Sequence, residues 1–177
     1  MRKKILKLIL IKNYIFLKLG RIKTQGFVGI ESGVDIQLGL GAKVSFGKNI
    51  YIRRGAVIDV AAGATLSIGD DVFIAHGVTL AAHKKMTIGA DTMIAEYVSV
   101  RDHDHRFDQN KRLVLQGEKQ LPVTIADNVW IGAKATVTKG VSIGSHSVIG
   151  ANAVVTKNVP VRVVAVGAPA KVIREIK

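Results

Sequence analysis

The chain has 177 residues, enough for one domain with a buried core and too few for two. It has no cysteine, which excludes a disulfide framework, a thiolate metal site and a cysteine nucleophile, and suits a reducing, cytoplasmic setting. A formal net charge of +13 asks for an anionic partner, yet aromatics are only 5% and no basic–aromatic interleaving or helix-turn-helix pattern is present, so nucleic acid is not the expected one.

The charge is uneven from the start. Met1 to Gln25 carries eight Lys or Arg and no acid, the first carboxylate being Glu31. Residues 3–21 read as an amphipathic helix, with Lys3, Lys4, Lys7, Lys18 and Arg21 on one arc and Lys12 and Asn13 off pattern. Lys7, Lys12 and Lys18 cut every apolar run well short of the ~20 residues of a membrane span. They also spoil a signal peptide. Residues 1–24 are therefore set apart as a basic helix, either packed on the end of the domain or lying on an anionic membrane surface.

Residues 25–160 carry a repeat. Ile125, Ile131, Val137, Ile143, Ile149 and Val155 are spaced by six without a break. Four places after each comes a second small or aliphatic residue: Val129, Ala135, Val141, Val148 one place late, Ala153 and Val159. An earlier run reads Ile68, Ile74 and Leu80, then Ile88, Ile94 and Val100 after a two-residue insertion. A 3.6-residue period cannot give a strict six, and hairpins would show wider, irregular turn signals. Six residues thus make one short strand and a tight corner. The aliphatic residue points inward onto its equivalent in the next coil, and a following glycine eases the turn. Two segments break the rhythm, Ala81–Thr87 and the polar stretch 101–122, RDHDHRFDQNKRLVLQGEKQLP, which is expected to protrude as a functional loop. Residues 161–177 form a tail.

Three stretches carry a family resemblance: His105-Arg106-Phe107-Asp108 with Arg112, NVWIGAKATVTKGVSIG at 128–144, and VVAVGAPAKVIREI at 163–176. They resemble the hexapeptide-repeat O-acetyltransferases, within them the maltose, galactoside and streptogramin group. The resemblance implies a left-handed parallel β-helix, an all-β solenoid, although crossover rules favour a right hand. It implies acetyl-CoA as donor substrate, a homotrimer with the donor between neighbouring subunits, and no metal. His105 is the first choice for the catalytic base, by its Asp108 and Arg112 partners, and His103 the second, by its prefix Ser99-Val100-Arg101-Asp102. An imidazole near its ordinary pKa of ~6.5 suits removal of a hydroxyl proton during attack on a thioester. With no cysteine and no G-x-S-x-G elbow, direct transfer is expected rather than an acyl-enzyme.

By the same resemblance Trp130, Ala133, Ala151, Thr156, Lys157, Lys171 and Arg174 line the donor path, the cations meeting its phosphates. His83, Asp102 and Glu96 are candidates to meet the acceptor, and Asp102, Asp104 or Glu96 to orient the imidazole. Ala75-His76-Gly77 and Ala82-His83-Lys84 stand where the galactoside enzymes hold their sugar contacts, so the acceptor is expected to differ. The basic N-terminal segment suggests a saccharide held at a membrane, such as a lipid-linked precursor of capsule or lipopolysaccharide, which places the protein on the inner face of the membrane. N-acetylation of an amino sugar and a non-catalytic β-helix scaffold are the alternatives. A zinc site of the γ-carbonic-anhydrase kind would need three histidines meeting across coils, drawn from His76, His83, His103 and His105.

Overall fold

A computed structural model describes residues 21–177. The helix expected over 3–21 falls, but for Arg21, outside the described residues. Ile22–Thr24, grouped with that segment in the sequence, is a strand of the first coil. The whole is an all-β parallel solenoid of about six turns.

Coil one is β1 (Ile22–Thr24), β2 (Val28–Ile30) and β3 (Asp35–Leu38), and coil two is β4 (Lys43–Phe46), β5 (Ile50–Ile52) and β6 (Val57–Val60). Coil three is β7 (Thr65–Ile68), β8 (Phe73–Ile74) and β9 (Thr79–Ala82), and coil four is β10 (Lys85–Ile88), β11 (Met93–Ile94) and β12 (Ser99–Arg101). A hairpin of β13 (His103–His105) and β14 (Glu118–Gln120) intervenes. Coil five then runs β15 (Val123–Ile125), β16 (Trp130–Ile131) and β17 (Thr136–Val137), and coil six β18 (Ser142–Ile143), β19 (Val148–Ile149) and β20 (Val154–Val155). Finally β21 (Val163–Val166) and β22 (Lys171–Glu175) fold antiparallel over the last coil. The strands stack into three walls: β1-β4-β7-β10-β15-β18, then β2-β5-β8-β11-β16-β19-β21-β22, then β3-β6-β9-β12-β17-β20.

Every aliphatic residue of the six-spaced series points into the prism and is buried, as are Ile68, Ile74, Leu80, Ile88, Ile94 and Val100. Each such side chain contributes about 1.5–3 kcal/mol by leaving water. The register also corrects one reading. Ser147, not Val148, holds the inward place of its unit, because a strand alternates strictly and cannot slip by one. Its hydroxyl donates to Pro160 O at 2.7 Å and accepts from Val163 N at 3.3 Å, so the polar group is satisfied inside. The glycines after Ile131 and Ile143 are required by stacking rather than by the turn. A Cβ on Gly132 would sit 2.6 Å from Ala151 N, and one on Gly144 2.5 Å from Val161 N, in the coil above. The 101–122 stretch is more ordered than a plain loop: its ends pair as β13 and β14, with Gln116 buried beneath the tip.

Candidate active site

The irregular corner between β9 and β10 and the start of the hairpin face each other along the edge joining the third and first walls. Asp102, the residue between β12 and β13, is wholly buried and turns its carboxylate into that corner. Oδ1 accepts from His83 N at 2.7 Å, and Oδ2 from Lys84 N at 2.8 Å and Lys85 N at 2.7 Å. The two-residue insertion noted in the sequence is thus a corner whose free N–H groups are closed by a side chain from the next coil.

This clamp brings two histidines together. The rings of His83 and His103 stack face to face, with centroids 3.5 Å apart and planes at 5°. His83 Nδ1 lies 2.8 Å from Glu118 Oε2 on β14, and Nε2 lies 3.4 Å from Asp59 Oδ2 on β6. Carboxylates only accept, so the doubly protonated imidazolium is the form that donates to both. Burial disfavours a charge on His83, but the hydrogen bonds to Glu118 and then Asp59 outweigh it and raise its pKa above the ordinary 6.5. Burial likewise acts to raise Glu118. The hydrogen bonds from His83 and from Gln120 Nε2, at 3.2 Å, prevail and hold its carboxyl below the ordinary value. His103 is itself 9% exposed, and its Nδ1 lies 3.4 Å from Asp102 Oδ1.

The sequence-predicted residues divide sharply. His103, His83 and Asp102 meet, but Asp102 spends its oxygens on backbone N–H groups and offers no face to an acceptor. His105 stands exposed on β13, two residues from His103 and directly opposite Glu118 in the hairpin ladder. Its neighbour Asp104 pairs with Lys139. Glu96 lies at the opposite edge, between the second and third walls, where its carbonyl accepts from Lys134 N at 2.9 Å. Sequence reasoning missed Asp59 and Glu118, since no spacing shows which carboxylate of a charged stretch turns inward.

Donor-path candidates fall on two edges. Ala133 and Ala151 stack at the edge between the second and third walls, Asn152 N donating to Ala133 O at 2.9 Å. Ala170 N reaches Val154 O at 2.8 Å, which brings the tail and Lys171 alongside the same edge. Trp130, half-exposed on β16, shares an outward row with Val148, Val164 and Arg174. Thr156 and Lys157, both exposed, follow β20 at the histidine edge. The third wall separates the two groups.

His83, His103 and Glu118 also bring ligand-type atoms within 4.8 Å of one another. A metal sits close to the plane of each imidazole that binds it, and parallel planes 3.5 Å apart share no such point. Ligation would have to break the stack. His76 is elsewhere, edge-on to Tyr97 at 5.1 Å, so three histidines do not converge.

Residues 122–157 match the family described as bacterial transferase hexapeptide (six repeats). The galactoside O-acetyltransferase of Escherichia coli (strain K12) is 36% identical over 100 residues, which cover 56% of this chain and 48% of that protein. The chain spans about half the length of the curated relatives it matches. Among solved structures, AntD, an N-acyltransferase from Bacillus cereus in complex with dTDP and 3-hydroxybutyryl-CoA, superposes with a TM-score of 0.80 at 21% identity, over 93% of this chain and 88% of that one, a likeness of fold. The polySia-specific acetyltransferase NeuO superposes with a TM-score of 0.57 at 28% identity, over 88% of this chain and 87% of that one. With its six stacked coils and its matching repeat segment, the chain is similar to the hexapeptide-repeat transferases, the family match itself spanning residues 122–157.

Proposed function

We propose that the protein is an acetyl-CoA-dependent O-acetyltransferase acting on a saccharide hydroxyl, with His103 rather than His105 as general base. The observation that carries this reading is the buried, stacked imidazole of His103 beside Asp102, where side chains from β6, the β9–β10 corner and the hairpin meet. A base acts from a fixed position within hydrogen-bond reach of the proton it takes, and an exposed strand residue such as His105 lacks that constraint.

The acceptor oxygen attacks the thioester carbonyl as the His103 imidazole takes its proton. The tetrahedral intermediate then collapses with cleavage of the C–S bond, and the imidazolium returns the proton to the departing thiolate of coenzyme A. Ala133, Ala151 and Trp130, with Lys157, Lys171 and Arg174 at the phosphates, hold the donor. The likeness to the galactoside O-acetyltransferase supports the donor class, and that to NeuO, a polySia-specific acetyltransferase, supports a polymeric saccharide as acceptor. A role in cell-surface polysaccharide synthesis, with residues 1–24 touching an anionic membrane, completes the proposal.

The test is thiol release from acetyl-CoA against a panel of mono- and oligosaccharides. His103→Ala should lower kcat by about 10²–10⁴-fold with donor KM nearly unchanged, the usual contribution of a positioned base. His105→Ala should remain within a few-fold of wild type. The reverse pattern returns the role to His105, and full activity in both single variants ends the histidine-base reading.

A further inference from the structure

Resting on His103 as the base, we propose that His83 is its positioning residue: an imidazole anchored by Glu118 and turned to Asp59, whose flat face fixes the plane of the His103 ring. This departs from the acceptor contact expected of His83 in the sequence. Three observations support it. His83 Nδ1 is held by Glu118 at 2.8 Å and Nε2 is turned to Asp59 at a longer 3.4 Å, so both ring nitrogens face carboxylates of the protein. Its backbone is committed too, through His83 N to Asp102. The ring is therefore a fixed surface supported from β6, β14 and the buried carboxylate of coil four.

His103 by contrast has one long contact, 3.4 Å from Nδ1 to Asp102, too weak to hold a ring plane by itself. What restrains rotation about its terminal torsion is the parallel ring 3.5 Å away. A flat side chain without such a neighbour occupies a broad, nearly two-fold well, and either nitrogen could then face the acceptor. The stack fixes the ring plane, and the Asp102 contact at Nδ1 distinguishes the two flips within it. Asp102 serves both partners, setting His83 by its backbone and approaching His103 at Nδ1, so that the far nitrogen, Nε2, is the one free to take a proton.

A residue that acts through another obeys a simple rule: once the partner is gone, its own removal costs nothing more. His83→Ala should lower kcat by about 10–100-fold, the scale of a misplaced catalytic group, with donor and acceptor KM within about twofold. The double variant His83→Ala/His103→Ala should be no slower than His103→Ala. His83→Phe, which keeps a flat face, should recover part of the loss. Long-range ¹H–¹⁵N spectra of the full chain give a readout that needs no acceptor. His103 should show one neutral tautomer in the wild type and an average of two in His83→Ala, with retained thermal midpoint and acetyl-CoA binding showing that the fold is intact.

The proposal is overturned if His83→Ala raises acceptor KM while kcat holds, which would make His83 a sugar contact. It is also overturned if its loss multiplies that of His103→Ala, or if the His103 tautomers already average in the wild type. The base reading fails separately: His103→Ala would keep its kcat whatever His83→Ala does.

Discussion

Asp102 is the residue on which the histidine cluster depends. Its carboxylate is wholly buried, accepts three backbone N–H groups and carries the turn into β13. Asp102→Ala leaves those donors without an acceptor in a partly buried corner, at about 1–3 kcal/mol for a single unsatisfied group. We expect a loss of about 2–4 kcal/mol, since the three donors share one relaxation, measured by urea unfolding monitored by Trp130 fluorescence. A loss under half a kcal/mol would mean that the corner closes on water instead. In the sequence Asp102 is one acid in a charged run, a candidate to meet the acceptor or to orient the imidazole. Burial of a side chain at the start of an excursion depends on how the coil below turns. A six-residue period, which describes regular units, carries no such information.

The hairpin β13–β14 is held at its base by two ionic contacts, Glu118 to His83 and Lys139 to Asp104. Its strands, His-Asp-His and Glu-Lys-Gln, have no apolar alternation, which is why 101–122 read as a loop. Pairing comes instead from the ladder and from these contacts with the coils. The Glu118–His83 pair has a defined pH window. His83 is raised, so its contribution is fully present below the ordinary 6.5 and is lost as pH rises through the raised value. Glu118 is lowered, so its contribution is present above the ordinary 4.5 and is lost as pH falls through the lowered value. The pair is strongest between those limits. Glu118→Gln should therefore destabilise the protein more at about pH 5.5 than at about pH 8.5, by on the order of 1 kcal/mol or less because both groups are partly solvated. Equal losses at the two pH values would show that His83 stays neutral throughout.

At the scale of the molecule, the repeat was plain from 125 to 159 because one coil there takes 18 residues, as in Thr124 to Ser142. It was faint before residue 68 because the first coils take 22, as in Ser45 to Ser67. The strands on the first and third walls there, β1 apart, run four residues and turn two side chains inward, Ile58 and Val60 in β6, Leu66 and Ile68 in β7. The six-spaced series then meets an inward residue out of step. The same geometry bears on the homotrimer that the resemblance implies. Ala133, Ala151 and Lys171 stand on one edge of the prism and His103 and Lys157 on another, with the whole third wall between. A donor held by the first set and attacked beside the second spans both when the histidine edge of one protomer lies against the donor edge of a neighbour, the head-to-tail contact that closes into a trimer. His103→Ala and Lys171→Ala/Arg174→Ala damage different edges, so trimers of either variant alone should be slow at acetyl-CoA well below the wild-type KM. Unfolded together at equal amounts and refolded, the two should recover about a quarter of wild-type activity, the fraction of interfaces that pair an intact histidine edge with an intact donor edge. Sedimentation should give three chains throughout. A mixture no faster than the average of its parents would place the whole site within one chain, and an active monomer would remove the trimer altogether.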